Sequence, residues 1–429
     1  MLTDKWTTLR YHPVQNELWN CKTRFAAVVA GRGSGKTELA RRRIVRFLSY
    51  KPKHYTHNPI YFYALPTRDQ AKRVAWEHIK ALVPKEWIRK DGISETELSI
   101  ATIFDTKLYV VGMDKPQRIE GEQWDGCVID ESSDQKPKTF DISVLPALSH
   151  REAWCWRIGV PKRFGPGAQE FKKFYDSAQT DPDVTAFTWQ SESILTAEQL
   201  RFAKQNLDER DYAEQYGASW ESISGMIFHS MSDKNIKGNI KYNPDEPIIV
   251  GSDFNVDPMR WVICHKYGNS LHVFDELDLR NSNTQAALNE LNHRYENHTA
   301  GWHFFGDASS RARKTAAAFS DYAQILNDSR FENRDIHYPD SNPSIIDRFA
   351  ATNALLKNAL GEVRCYISEN CQHLIDDLVN RSYKPGTRSA DDHGDRGHSS
   401  DALGYIIHTL WPPVVQEVLQ VSKVHIGNR

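Results

Sequence analysis

The run Ala30-Gly31-Arg32-Gly33-Ser34-Gly35-Lys36-Thr37 follows an apolar stretch, Phe25–Ala30, and opens a segment of helical periodicity. Glycines at that spacing let successive backbone N–H groups turn inward around phosphate oxygens, and the start of a helix adds a favourable dipole. Lys36 is placed to reach the β- and γ-phosphates, and the Thr37 hydroxyl to ligate Mg²⁺. This is the pattern of a P-loop, with ATP as the expected ligand. The strict motif begins with Gly where this chain has Ala30, and a small residue suffices there. An ordinary Gly-rich strand-to-helix turn is the bland alternative, but it does not account for strand, glycines, Lys-Thr and helix coinciding.

Further along, Cys127-Val128-Ile129-Asp130-Glu131 reads as a buried strand ending in two carboxylates. In that setting Asp130 belongs beside Mg²⁺, and Glu131 stands as general base for a water attacking the γ-phosphate. Hydrolysis also needs positive charge where the transition state becomes more negative. Arg32 inside the loop and Arg118 ahead of the Asp130 strand are the two candidates. Arg41, Arg42, Arg43 and Arg46 read as the solvated face of the helix after the loop.

A second set of carboxylates lies in the other half of the chain. Asp253 falls within an apolar run (Ile249-Val250-Gly251-Ser252-Asp253-Phe254), Asp307 ends Phe304-Phe305-Gly306-Asp307, and Asp401 opens an apolar helical pattern. Carboxylates at strand ends and helix starts suit a pair of hard divalent ions about 4 Å apart, Mg²⁺ or Mn²⁺, which cleave phosphodiesters. The competing reading makes each a cap or turn residue. Asp275 and Glu276 are secondary candidates, as ligands or as a solvent-facing edge. Asp391, Asp392, His393 and Asp395 read as a mobile, solvated loop, and His398 as an outer-sphere or structural histidine.

These residues need two frameworks. At about 150 residues per domain, 429 residues allow two or three. The first half alternates apolar runs (Phe25–Ala30, Ile60–Leu65, 127–129, 156–160) with helical patterns at 37–47 and 68–82, as parallel α/β folds do. A hairpin is expected at 100–104 and 107–111. Turn signals without periodicity at 223–246 suggest a linker between an ATPase domain, 1–222, and a nuclease domain, 247–413, with a loose tail at 414–429. In the second half, β-like runs at 248–254, 260–266 and 271–276 precede a helix at 283–296, a strand at 303–306 and then mostly helices. That order is RNase H-like. The fold class is therefore α/β: a P-loop NTPase followed by an RNase H-like domain.

The formal charge of −2 gives no global positive field, so a polyanion must meet local basic patches or metal ions. No apolar stretch approaches the ~20 residues of a membrane span, and no secretory signal is read at the start. Six scattered cysteines without a Cys-x-x-Cys pair fit reduced thiols rather than a disulfide framework or zinc site.

With these motifs in hand, the chain resembles the large terminase subunit of tailed bacteriophages over roughly residues 11–410. Tyr11-His12-Pro13-Val14-Gln15 is similar to that family's adenine-side motif, which implies a base contact for Gln15. Gly31 to Thr37 is similar to its Arg-bearing P-loop. Arg118-Ile119-Glu120-Gly121 resembles the segment whose arginine acts on a neighbouring subunit's nucleotide, with Glu120 a departure. Arg157-Ile158-Gly159-Val160-Pro161 occupies the place of the coupling motif, without its usual hydroxyl residue. Gly-x-Asp at Asp253, Asp-Ala at Asp307 and His…Asp-Ala…Tyr from His398 to Tyr405 resemble the nuclease motifs. The resemblance implies a motor that drives double-stranded DNA into a procapsid and cuts concatemeric genomes. Its implied partners are a portal protein and a small terminase subunit, its assembly a ring, and its place the infected host's cytoplasm. A helicase-nuclease, or a nucleotide-gated DNA-binding regulator with an inactive nuclease half, are the competing readings.

Overall fold

The computed structural model describes residues 12–49, 56–220, 225–311, 319–384, 387, 389–392 and 395–413. Tyr11, His393 and the 414–429 tail lie outside the described residues. By its contacts the chain divides into two units, Met1–Leu200 with Ala213–Ser222, and Arg201–Tyr212 with Ile223–Arg429.

Eight strands form the sheet of the first unit: β1 (Phe25–Ala30), β2 (Ile60–Leu65), β3 (Ile88–Ser94), β4 (Ser99–Thr102), β5 (Lys107–Gly112), β6 (Gly126–Ile129), β7 (Trp154–Gly159) and β8 (Val184–Trp189). Their order is β3-β4-β5-β2-β6-β7-β1-β8. Neighbours from β5 to β8 are all parallel, while β3 and β4 extend the sheet antiparallel. A parallel sheet must be covered on both faces, and β1 shows how. Ala26, Val28 and Ala30 enter one core, Phe25 and Ala27 the other.

Helix Lys36–Leu48 lies on the first of these faces through Leu39, Ala40, Ile44, Val45 and Leu48. The expected helix at 68–82 is present but widens into a π-helical turn over Ala71–Trp76. The solvated face expected for Arg41, Arg42 and Arg43 is not observed: all three are 8% exposed. Arg42 is held by Glu38, Arg41 donates to the Val74 carbonyl, and Arg43 stacks on Phe47, Trp154 and Trp156. Arginine tolerates such burial because its planar, weakly hydrated head stacks on rings.

The second unit carries β9 (Ile236–Lys237), β10 (Ile248–Asp253), β11 (Met259–Tyr267), β12 (Ser270–Leu279), β13 (Trp302–Phe305), β14 (Arg334–His337) and β15 (Cys365–Ser368). The order is β14-β13-β10-β11-β12-β15-β9. β10, β11 and β12 form an antiparallel meander, and β13, β14, β15 and β9 join it parallel to their neighbours. Helices Ile345–Leu356 and His398–Leu410 cover one face with Phe349, Leu355, Leu403 and Ile406. Helix Thr284–Arg294 covers the other with Ala287, Leu288 and Leu291. β14 and β15 are absent from the expectation of mostly helices after 306.

Residues 225–246 of the expected 223–246 linker are not a free connection. Ile227 and Phe228 are buried in the core of the second unit, β9 pairs with β15, and Asn235 donates to the carbonyls of Leu356 and Cys365. All six cysteines are unpaired, with Cys21 partly exposed and the rest buried. Among the described residues no helix is long and apolar enough to cross a membrane.

Helix His398–Leu410 approaches β10 at Gly251, where an added Cβ would lie 2.4 Å from the Ala402 carbonyl oxygen and 2.7 Å from Ile406 Cδ1. Gly251→Ala is therefore predicted to cost about 1–3 kcal/mol, the usual penalty of overpacking. Urea unfolding measures it, and a variant as stable as the parent would show that this helix shifts freely.

Candidate functional site

β1 is fully buried and delivers the chain to the loop at Gly31. Gly33 and Gly35 have φ of 67° and 79°, the left-handed region that glycine enters without a Cβ penalty. The turn points the chain into helix Lys36–Leu48, and Lys36 Nζ donates back to the Gly31 carbonyl at 3.3 Å. The loop is propped from outside. Gln15 Nε2 and Trp189 Nε1 both donate to the Ser34 carbonyl, at 3.2 and 2.9 Å. Ser191 Oγ donates to the Arg32 carbonyl at 2.6 Å. Gln15 is itself 1% exposed, so in this state it supports the loop.

β7 lies between β1 and β6. Because these strands are parallel, their carboxyl ends share one edge, where open α/β sheets bind ligands. Asp130, just past β6, therefore meets the loop. It is buried and accepts from Tyr63 Oη at 2.7 Å and from the Glu131 N–H at 2.9 Å. Burial raises its pKa and the Glu131 charge adds to this, against Tyr63 and Lys36. Burial likewise pulls the Lys36 ammonium below the usual lysine range, opposed by Glu131 and then Asp130. Lys36, Asp130 and Glu131 thus share one field. Glu131 has φ 50° and ψ 49°, a left-handed conformation costing a non-glycine residue on the order of 1 kcal/mol and concentrated at functional sites.

The two candidate arginines differ in setting. Arg32 contributes to the field at Lys36, and its Nε is buried without a hydrogen-bond partner. Arg118 sits in the short helical turn Pro116–Ile119, one-third exposed and 3.8 Å from Asp114. Arg157 is a core residue in β7, stacked on Phe140 and Phe174 at 4.3 and 4.7 Å, with burial lowering its pKa to about 10. Lys162, which the motifs did not single out, also acts on Lys36 and pairs with Asp134 at 2.5 Å.

In the second unit Asp253 ends β10, and Asp307 follows the neighbouring parallel strand β13. Asp401 enters from the first turn of helix His398–Leu410, whose Ala402, Leu403 and Ile406 pack in one core with Ile249 of β10. Burial raises the Asp253 pKa, and the charges of Asp401 and Asp307 raise it further. One turn on from Asp401, Tyr405 is pushed up to about 12, first by burial and with contributions from Asp401, Asp307 and Asp253. The pairing of β10 with β13 and the approach of Ala402 to Gly251 thus place the three carboxylates at one end of the sheet.

Each is also answered. His398 Nδ1 lies 2.7 Å from Asp253 Oδ2, and this pairing raises the His398 pKa. Asp307 accepts from the hydroxyls of Ser309 and Ser310. Asp401 Oδ1 lies 3.0 Å from Arg381 Nη1 and 3.1 Å from Arg348 Nη1. Arg348 in turn stacks on Tyr405 at 4.5 Å. Asp377, fully buried, accepts from the N–H groups of Gly397 and Ser400, both at 2.9 Å, and so places negative charge at the start of the helix that carries Asp401.

The secondary candidates are occupied by structure. Asp275 holds Arg294 and Tyr295, and Glu276 caps helix Gln372–Asn380 through the N–H groups of His373 and Leu374. In the acidic loop Asp392 and Asp395 are exposed, as expected of a solvated segment, and each is ion-paired, Asp392 with Arg381 and Asp395 with Arg280. Tyr63, Arg348, Arg381 and Asp377 were missed because nothing local marks them. They lie in ordinary strand and helix patterns, and only the fold brings them to a carboxylate or a helix start.

No protein-family profile matches the sequence, and no curated protein matches it. In structure the chain is similar to the large terminase of a thermophilic bacteriophage. One crystal form of that protein gives a TM-score of 0.57 at 13% identity, covering 94% of this chain and 99% of that one. The same protein in complex with ADP gives 0.54 at 14% identity over 94% and 99%, and with ATP-gamma-S 0.55 at 13% over 93% and 99%. The resemblance read from the motifs holds at the level of fold, across nearly the whole of both chains.

Proposed function

We propose that this chain is a DNA-packaging motor of the terminase kind, an ATPase and a metal-dependent endonuclease on one polypeptide. The observation that carries the reading is a P-loop on one sheet and three aspartates at one end of another, in a chain whose fold is similar to a large terminase.

At the first site the residues suit a nucleoside triphosphate with Mg²⁺. The buried Ser34 Oγ and Arg32 Nε lack partners, which suits phosphate oxygens as their acceptors, and the N–H groups at the helix start face an anion favourably. Thr37 and Asp130 would hold Mg²⁺, which when bound neutralises charge on the phosphates. Lys36 binds the β- and γ-phosphates, Glu131 accepts the proton of the attacking water, and Arg32 or Arg118 supplies positive charge to the transition state. Gln15 would contact the base.

At the second site burial and the charges of Asp401 and Asp307 raise the Asp253 pKa against His398, so divalent cations among the three would relieve their mutual repulsion. Asp253, Asp307 and Asp401 would hold Mg²⁺ or Mn²⁺, hard ions that activate a water and stabilise the leaving oxygen. His398 orients Asp253, while Arg381 and Arg348 fix Asp401. As part of the same proposal, the substrate is double-stranded DNA, the partners are a portal protein and a small terminase subunit, the working assembly is a ring and its place is the host cytoplasm.

Lys36→Ala should abolish ATP turnover and leave Mn²⁺-dependent plasmid nicking intact; simultaneous loss of both in a folded protein would argue against separate sites. Glu131→Ala should still bind ATP while turnover falls about 10²–10⁴-fold, the worth of a general base. Near-normal turnover would reassign that role. Asp253→Ala should remove metal-dependent nicking and spare the ATPase, whereas cutting that survives would place the nuclease centre elsewhere. If the parent cuts no DNA with either ion, the regulator with an inactive nuclease half becomes the better reading.

A further inference from the structure

Away from the three aspartates, a different donor set stands on the same sheet. β13 and β14 run parallel, with His303 opposite Asp335 and Phe305 opposite His337. Residues paired across parallel strands, and residues two apart along one strand, share a face of the sheet. His303, Asp335 and His337 therefore project together. His303 Nδ1 lies 3.3 Å from His337 Nε2 and 3.5 Å from Asp335 Oδ2. Among the described residues they are the one trio of His, Cys, Asp or Glu side chains whose donor atoms all fall within 4.8 Å of one another.

The spacing is informative. For tetrahedral coordination with bonds of about 2.0–2.1 Å, donor atoms are separated by about 3.3–3.4 Å. Both named separations are close to that value before any ion is considered. The ring of His337 is also fixed in place, stacked on Phe305 at 4.5 Å and 16°, and Phe305 is 1% exposed within the core. Two imidazoles sharing a proton would explain one of these contacts but not the approach of the carboxylate to the same nitrogen.

We propose that His303, Asp335 and His337 form a binding site for a borderline-soft divalent transition ion of the Zn²⁺ class. Two imidazoles and one carboxylate discriminate against Mg²⁺, which prefers an all-oxygen set. The site is thus chemically distinct from the aspartate site. The Asp335 side chain is 67% exposed, so water has access and can complete the coordination. Because β14 is an edge strand of four residues paired with β13, an ion here clamps that edge to the strand leading to Asp307.

Full-length protein, stripped with chelator and dialysed, is titrated with Co²⁺ as a spectroscopic probe. A site of this kind gives the intense visible absorption of four-coordinate Co²⁺, saturating at one equivalent and displaced by Zn²⁺ but not by Mg²⁺. The signal persists in Asp253→Ala and is lost in His337→Gln, and Asp335→Asn, at an exposed position, weakens binding by about tenfold or more. Zn²⁺ should also raise the melting temperature of the parent, but not that of His337→Gln, because an ion bound only by the folded state stabilises it. Absence of a four-coordinate spectrum in the parent, or its survival in both His337→Gln and Asp335→Asn, overturns the site and leaves a hydrogen-bonded histidine pair.

Discussion

A buried carboxylate is tolerable only if a cation or a set of donors answers it, and it becomes harder to ionise when a second carboxylate stands near. Both candidate sites are organised around that constraint. Asp130 is answered by Tyr63 and by the field of Lys36, Asp253 by His398, and Asp401 by Arg381 and Arg348. Remove the answering groups and the acidic residues could not sit at the ends of apolar strands. At Asp401 the partners are more buried than the carboxylate they hold: the Arg381 side chain is 1% and that of Arg348 9% exposed, while that of Asp401 is 25% exposed. Rigid cations behind, a less buried carboxylate in front, is an arrangement that keeps an acidic site preorganised for an ion.

The second ordering principle is the direction of the strands. Parallel pairing brings carboxyl ends to a common edge, so residues distant in sequence meet without any local signal linking them. β1 and β6 deliver the P-loop and Asp130 to one edge with β7 between them; β10 and β13 deliver Asp253 and Asp307 in the same way. Helix His398–Leu410 completes the second set because Gly251 allows close approach to β10.

What could be read from sequence follows from this. The P-loop was legible because its chemistry is local, with glycines, Lys36 and Thr37 contiguous between strand and helix. The three aspartates were legible through their places at strand ends and a helix start, rather than through spacing. Their holders were not, since Arg348 and Arg381 lie in unremarkable stretches and are defined by tertiary contact alone. Turn residues around 223–246 disguised Ile227 and Phe228, whose burial depends on a core assembled from much later segments. The charges of Arg41 to Arg43 suggested solvent, but the rings that bury Arg43 come partly from β7, which no helix periodicity reveals. β14 and β15, at four residues each, are too short to show a period against the helices around them.

Within the first unit, the parts of the candidate phosphate site are also joined through the backbone. The Arg32 N–H donates to the Gln215 carbonyl at 2.7 Å, and the adjacent Glu214 accepts from Arg163 Nε at 2.9 Å and from its N–H at 2.8 Å. Next to Arg163, Lys162 pairs with Asp134, and the Asp134 N–H returns to the Glu131 carbonyl at 2.8 Å. Ser133 Oγ adds a bond to the Val160 carbonyl at 2.6 Å, just past the end of β7. The loop, the strained Glu131, the segment after β7 and residues 214–215 are therefore one connected element. The left-handed backbone at Glu131 is held by these neighbours rather than preferred by the residue itself.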